Sequence, residues 1–174
     1  MNIALLVLRV IVGGLFIGHG GQKLFGWFGG HGPKGTASFF DGIGLAPALP
    51  LALLAGGAEV GGGLLFALGL YVPVAALLMI GVMTTAIVSV HWKNGLWVTA
   101  GGAEYPLVLA AVAFAVAAIG PGSISVDHAL GIHWAGLRWA VAAAVAGGLG
   151  GLIAVAAGRF ASRTQPRARQ AHAA

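Results

Sequence analysis

Two ionisable residues lie inside long apolar stretches of the sequence. Arg9 stands within residues 3–24, and Glu59 stands within residues 49–70. At the centre of a membrane helix an Arg or Asp costs about 2.5–3.5 kcal/mol by insertion scales, and such residues almost always face protein or water. Arg9 lies about 10 Å, and Glu59 about 16 Å, from the same end of two antiparallel helices. We therefore expect Arg9 to contact Glu59.

This contact has more than one interpretation. An Arg9–Glu59 pair is a structural ion pair in the simplest case, or the long Arg9 side chain extends outward to the membrane surface. The alternative is that the two residues form a site for a proton or a cofactor, because intramembrane ionisable residues commonly mark such sites.

A second group of polar residues stands where the apolar segments begin or end. His19 and Lys23 close the first segment, one helical turn apart, while His91 ends the third and Glu104 and Tyr105 begin the fourth. We expect these side chains to gather at one depth as a polar pocket for an anion or the head group of a quinone. Ordinary anchoring at helix ends is the alternative. The candidate binding residues are Arg9, His19, Lys23, Glu59, His91, Glu104 and Tyr105.

The residue types also exclude several kinds of chemistry. The chain has no Cys, which excludes disulfides, thiolate metal sites, iron–sulfur clusters and a cysteine nucleophile. His19 and His91 are conceivable axial haem ligands, and His128 and His133 are five residues apart, but neither arrangement has the spacing of a known site. We therefore expect no metal site and no covalently bound cofactor.

Composition places these residues in a membrane protein. Of 174 residues, 59% are apolar and 7% are charged, against about 25% charged residues in a typical soluble domain. Disordered chains, in contrast, are poor in apolar residues and rich in charge. The net charge of +5 does not by itself indicate nucleic-acid binding, because basic residues form a binding patch only where they cluster. Four of the nine basic residues lie in the last sixteen positions, which more simply indicates a topology signal.

A membrane span needs about 20 mainly apolar residues, and the apolar segments predict an all-α, polytopic membrane helix bundle with five spans. The predicted spans are residues 3–24, 49–70, 74–90, 104–119 and 137–158. A four-span bundle with a peripheral segment 137–158 is the alternative. Aromatic residues favour the membrane–water interface, so we expect residues 25–48, which carry several, to lie there or to fold back against the bundle. Residues 91–103 repeat this pattern.

Basic residues predict the orientation. Lys and Arg are retained in the cytoplasm, so the tail carrying Arg159, Arg163, Arg167 and Arg169 should be cytoplasmic. Five spans then place the N terminus and the loop 121–136 outside, with seven of the nine basic residues inside. We expect a multi-pass protein of the cell membrane whose residues 159–174 form a basic, disordered cytoplasmic tail.

Glycine pairs predict how the first two spans meet. Gly14 and Gly18 in the first span, and Gly57 and Gly61 in the second, are each four residues apart. Such pairs allow two helix backbones to approach closely. In the simplest interpretation these four glycines only allow close packing, and in the alternative they form the interface that holds Arg9 and Glu59.

Three motifs in this order resemble the DoxX family of small bacterial membrane proteins, which is related to subunits of thiosulfate:quinone oxidoreductase. They are LRVIVGGLFIGHGGQKLFGWFGG around Arg9 and Lys23, AEVGGGLLFALGL around Glu59, and HWKNGLWVTAGGAEYPLVL around His91 and Glu104. The resemblance implies a four-helix membrane core over residues 1–120. The loop 121–136, the fifth helix 137–158 and the basic tail 159–174 depart from that minimal pattern.

The resemblance implies a subunit of a membrane-associated redox complex, with protein partners, possible oligomerisation and a quinone as the bound molecule. Because the chain lacks Cys, it cannot carry out thiosulfate chemistry through a protein persulfide. A non-catalytic scaffold that docks partner proteins is a second hypothesis. A conduit for protons or small solutes is a third, although we find neither inverted repeats nor broken helices. Whether the chain is itself catalytic stays open.

Overall fold

The computed structural model describes residues 2–164, and within that range the chain forms seven α-helices and no strand. The helices are α1 Asn2–Phe25, α2 Gly32–Gly42, α3 Ala48–Leu68, α4 Val72–Ala86, α5 Glu104–Ile119, α6 Val126–Ala129 and α7 Leu137–Thr164. A π turn, Ile87–His91, and a 3-10 turn, Trp92–Asn94, continue α4.

Four of the helices are long and apolar enough to cross a membrane: α1, α3, α4 with its continuation to Asn94, and α7. The apolar α5 has 16 residues, about 24 Å, which is shorter than the ~30 Å hydrocarbon core. The expected all-α, multi-pass membrane bundle with an additional C-terminal helix is confirmed. The helix α7 continues to Thr164, so the first six residues of the expected tail are helical. Arg167 and Arg169 lie outside the described residues.

Successive membrane helices alternate in direction, which places the connecting segments on two sides. On one side, the Ser123 amide donates to Asn2 Oδ1 and the Tyr71 amide donates to Asp127 Oδ1. We call this the Asn2 side. On the other, the Ala46 amide donates to the Gly158 carbonyl; we call it the Thr164 side.

Close backbone contact joins α1 to α3, but through glycines other than those predicted. A Cβ atom at Gly13 would lie 2.5 Å from the Gly63 carbonyl oxygen, and one at Gly20 would lie 2.7 Å from that of Gly56. The close contacts thus recur seven residues apart on each helix, on the face buried between them. The predicted interface was wrong.

The four glycines chosen from the sequence lie away from that contact. A Cβ atom would meet nothing within 4 Å at Gly14, Gly57 and Gly61, and at Gly18 it would meet only Phe28. Four-residue spacing identifies a helix face that small residues share, but it does not reveal which neighbour, if any, that face meets.

The helix α4 lies at the centre of the bundle and packs against α3, α5 and α7. Its Met79 is fully buried, together with Phe66 from α3 and Val116 from α5. Small residues bring α7 close, because a Cβ atom at Gly151 would lie 2.5 Å from the Gly81 carbonyl oxygen. This apolar core fixes α3, α4, α5 and α7 as one unit.

At the Thr164 side, the short helix α2 folds back against α1 and α3. Its Phe40 is buried and packs with Leu45, Ala52 and Val155, which attaches α2 to α3 and α7. The segment 25–48 therefore folds back against the bundle through Phe40 of α2, whereas Phe28 and Phe39 stay exposed.

Candidate functional site

Lys23 and Glu59 form an ion pair between α1 and α3. Lys23 Nζ lies 2.6 Å from Glu59 Oε2 and 2.8 Å from Oε1. The Glu59 side chain is 4% exposed, whereas that of Lys23 is 25% exposed. Glu59 is thus a buried carboxylate whose charge is neutralised by a cation that still reaches the surface of the bundle.

The prediction that Arg9 contacts Glu59 is wrong. The reason is the direction in which the side chains point. Side chains on a helix tilt toward its N terminus. On α1 this direction carries Lys23 toward the level of Glu59 and carries Arg9 away from it. Glu59, on the antiparallel α3, tilts toward the Thr164 side and therefore meets Lys23.

His19 lies near this ion pair, and Tyr105 lies beside His19. His19 acts electrostatically on the Glu59 carboxylate, and the His19 ring lies 6.2 Å from the Tyr105 ring in an edge-to-face arrangement. His19 Nδ1 is 3.2 Å from the Gln22 side-chain oxygen. The structure therefore brings together four of the seven predicted residues: His19, Lys23, Glu59 and Tyr105.

A pocket of about 340 Å³ lies beside Lys23, between the end of α1 and the helix α2. Its polar lining includes Gln22, Lys23, His31 and Thr36, and Phe39 and Phe40 supply aromatic rings. This volume is within the usual range for small-molecule sites, about 300–1,000 Å³. We call it the Lys23 pocket.

His31 and Thr36 are site residues that the sequence did not predict. They lie in the Gly-rich stretch expected at the interface, and no periodicity relates them to Lys23. The available signal was Gly32–Pro33 at the start of α2, because Pro is favoured in the first turn of a helix. A helix that begins at Gly32 folds back beside the C-terminal end of α1, which brings His31 and Thr36 to the same pocket as Lys23.

Arg9 occupies a separate, fully buried position near the Asn2 side. Its Nη2 donates to the Ile124 carbonyl, and its Nη1 lies against Gly69, where the space excludes a Cβ atom. Its Nε and Nη1 have no hydrogen-bond partner among the described residues. Arg9 thus attaches the segment 120–136 to the N-terminal part of α1.

Asp127 is the acidic residue near Arg9, and its negative charge acts on the guanidinium. Asp127 is buried and accepts hydrogen bonds from the Tyr71 amide at 2.8 Å and the Val72 amide at 3.4 Å. These amides lie at the start of α4, where backbone N–H groups lack partners within the helix. Asp127 therefore caps α4 and tethers the same segment that Arg9 holds.

His91 and Glu104 take part in a third arrangement, the turn between α4 and α5. His91 Nδ1 lies 2.7 Å from the Gly101 carbonyl oxygen, and Glu104 Oε2 accepts from the Val98 amide at 2.9 Å. The Asn94 side chain also donates to Gly101. The seven predicted residues therefore occupy three places instead of one pocket.

The comparison with protein families decides the classification. A family model described as DoxX matches residues 4–92, half of the chain. The chain belongs to the DoxX family. The matched part of this DoxX protein includes α1, α3 and α4, and thus both Lys23 and Glu59. Glu104 and Tyr105 lie beyond the match, and no curated protein or solved structure matches the chain.

Proposed function

We propose that this DoxX protein is an integral subunit of a membrane redox complex, and that the Lys23 pocket binds a quinone head group. The observation that carries this proposal is the position of Lys23, which pairs with buried Glu59 and lines the pocket. A quinone presents two carbonyl acceptors on a flat ring and supplies two-electron redox chemistry when it is bound. The pocket offers matching donors and aromatic rings.

The charge balance favours a quinone over a small anion. An ammonium group has three N–H donors, and the Glu59 oxygens accept from Lys23 on one side. The ion pair is neutral as a whole, so it has little net attraction for an anion. It still polarises a neutral carbonyl acceptor placed against the remaining donor, and His31 and Thr36 supply further donors.

Thermal unfolding of the protein in lipid nanodiscs tests this proposal. A ligand that binds the folded state at 100 times its Kd stabilises it by about 2.7 kcal/mol. We expect a short-tailed quinone to raise the unfolding temperature of the wild type. The double variant Lys23→Met/Glu59→Met, which leaves no buried charge unpaired, should lose most of the shift.

Lys34→Met is the matched control, because Lys34 is an exposed lysine of α2 that does not line the Lys23 pocket. His31→Ala and Thr36→Ala should each reduce the quinone-dependent shift. If quinone stabilises the wild type and the double variant equally, or stabilises neither, the Lys23 pocket is not a quinone site.

Exposed aromatic rings on the Thr164 side support the second hypothesis, a scaffold for partner proteins. Phe28, Trp92 and Trp97 are 80%, 76% and 66% exposed. These rings fit the membrane interface and equally fit a protein surface. Under the scaffold hypothesis, Trp92→Ser/Trp97→Ser abolishes co-purification of partners in mild detergent and leaves the quinone-dependent stabilisation unchanged.

A further inference from the structure

An apolar cleft of about 160 Å³ opens between α3, α4 and α7. Ala55, Ala58, Gly81, Gly147 and Gly150 are among its lining residues. The Thr85 hydroxyl, also at its wall, already donates to the Gly81 carbonyl at 3.0 Å. An enclosed apolar cavity of about 150 Å³, engineered in another protein, binds benzene, so the volume of this open cleft is sufficient for a small apolar group.

The position of the cleft matches hydrocarbon depth. Its residues on α7 lie between positions 146 and 154, well inside a helix of 28 residues. The Lys23 pocket, in contrast, lies at the end of α1, beside the α2 connection. If the polar end of an amphiphilic molecule lies in the Lys23 pocket, its tail extends toward the middle of the membrane, where the cleft lies.

Phe40 is the residue that the two sites have in common, because it is among the lining residues of both the Lys23 pocket and the apolar cleft. It is buried and packs with Leu45 and Ala52. The polar site and the apolar site are therefore neighbours. This adjacency favours a hydrocarbon tail belonging to the ligand of the Lys23 pocket over an unrelated helix as the occupant of the cleft.

We infer that the cleft between α3, α4 and α7 binds the isoprenoid tail of a quinone whose head group lies against Lys23, with the tail passing Phe40. This inference rests on the proposed function and narrows its ligand to long-tailed, membrane-resident quinones. The tail binds by van der Waals packing against the glycine and alanine wall.

Gly150 allows the cleft to be filled without disturbing the fold. It lines the cleft, and a Cβ atom built there meets nothing within 4 Å. Gly148, two residues earlier on α7, also has nothing within 4 Å of its Cβ position, but it does not line the cleft. Gly150→Leu and Gly148→Leu are therefore a matched pair that differs in access to the cleft.

The test measures binding of two quinones, one with a single isoprenoid unit and one with a long polyisoprenoid tail, to the full chain in nanodiscs. Partitioning into lipid differs between the two quinones but is equal for all variants, so the ratio of the two affinities is compared between variants. We expect the ratio of long-tailed to short-tailed affinity to be about tenfold higher for wild type and Gly148→Leu than for Gly150→Leu. Gly150→Leu should keep its affinity for the short-tailed quinone.

A photoreactive diazirine in the tail gives a second measurement. We expect it to label the α7 segment 146–154 in wild type and Gly148→Leu, and to lose that labelling in Gly150→Leu. Equal preference and equal labelling in all three proteins overturns the tail site and leaves head-group binding intact. Failure of wild type to bind either quinone overturns the proposed function, and the tail site with it.

Discussion

Lys23 and Glu59 form an unequal pair, in which the carboxylate is buried and the ammonium keeps a quarter of its side chain exposed. Removing the cation leaves a buried charge without a partner, which costs much more than removing both groups. Lys23 is therefore important for stability mainly because Glu59 is present, and a double-mutant cycle separates the two contributions.

We expect Lys23→Met to destabilise the protein by about 3 kcal/mol, and Lys23→Met/Glu59→Met to be distinctly more stable than Lys23→Met. Reversible unfolding in mixed micelles measures both. Additive effects of the two single substitutions, with no coupling between them, would contradict a direct ion pair.

Arg9 is a residue for which the sequence suggested the wrong partner. Its buried guanidinium meets the Ile124 carbonyl and is influenced by Asp127, both in a segment more than 110 positions away in sequence. Hydropathy showed that Arg9 must face protein or water, because lipid is excluded. It did not show which protein group Arg9 meets, because that depends on how residues 120–136 fold over the bundle.

We expect Arg9→Met to loosen residues 120–136 while the bundle stays folded, because the substitution keeps most of the buried volume but removes the bond to Ile124. Amide hydrogen exchange of that segment should accelerate by about tenfold or more, as for the loss of a charged hydrogen bond. Arg138→Met is the control, since Arg138 is exposed and lies over the Trp139 ring at 5.8 Å. Equal protection in wild type and Arg9→Met would rule out this role.

At the scale of the elements, the antiparallel pair α1 and α3 depends on a small number of backbone contacts. Gly63 lies against the Gly13 backbone, where a Cβ atom would be 2.6 Å from the carbonyl oxygen. Gly61 lies on the same helix and has no neighbour within 4 Å of its Cβ position. Hydropathy does not distinguish the two, because both are small and apolar.

We expect Gly63→Ala to destabilise the protein by about 1–3 kcal/mol, because rigid backbone cannot move away from the added methyl group. Gly61→Ala should leave the stability unchanged or slightly raised, since Ala is the better helix former. Thermal unfolding of the two variants under the same conditions gives the comparison. A destabilised Gly61→Ala would indicate that this face packs against another molecule in the membrane.

At the scale of the whole molecule, hydrogen bonds define the two sides of the bundle. On one side a hydrogen bond joins residues 120–136 to Asn2, and on the other a hydrogen bond joins Ala46 to Gly158. Which side faces the cytoplasm depends on the basic residues. Five basic residues of the described chain lie toward the Thr164 side: Lys23, Lys34, Lys93, Arg159 and Arg163. The positive-inside rule therefore predicts that this side is cytoplasmic.

The absence of Cys makes the orientation directly measurable with single introduced cysteines. Leu130→Cys, at an exposed position on the Asn2 side, should react with a membrane-impermeant maleimide in intact cells. Lys93→Cys, exposed in the turn after α4, should react only after permeabilisation. The opposite labelling pattern would reverse the orientation.

Hydropathy and charge scarcity by themselves determined the membrane class and the approximate bounds of α1, α3, α4, α5 and α7, and three sequence motifs carried the family resemblance. These properties are local, because a span is long and apolar whatever its neighbours are. Tertiary structure decided that Glu59 pairs with Lys23, that Arg9 holds residues 120–136, and that His31 lines the Lys23 pocket. Those outcomes depend on which helix faces meet and on the direction in which each side chain tilts, and neither follows from residue spacing along one segment.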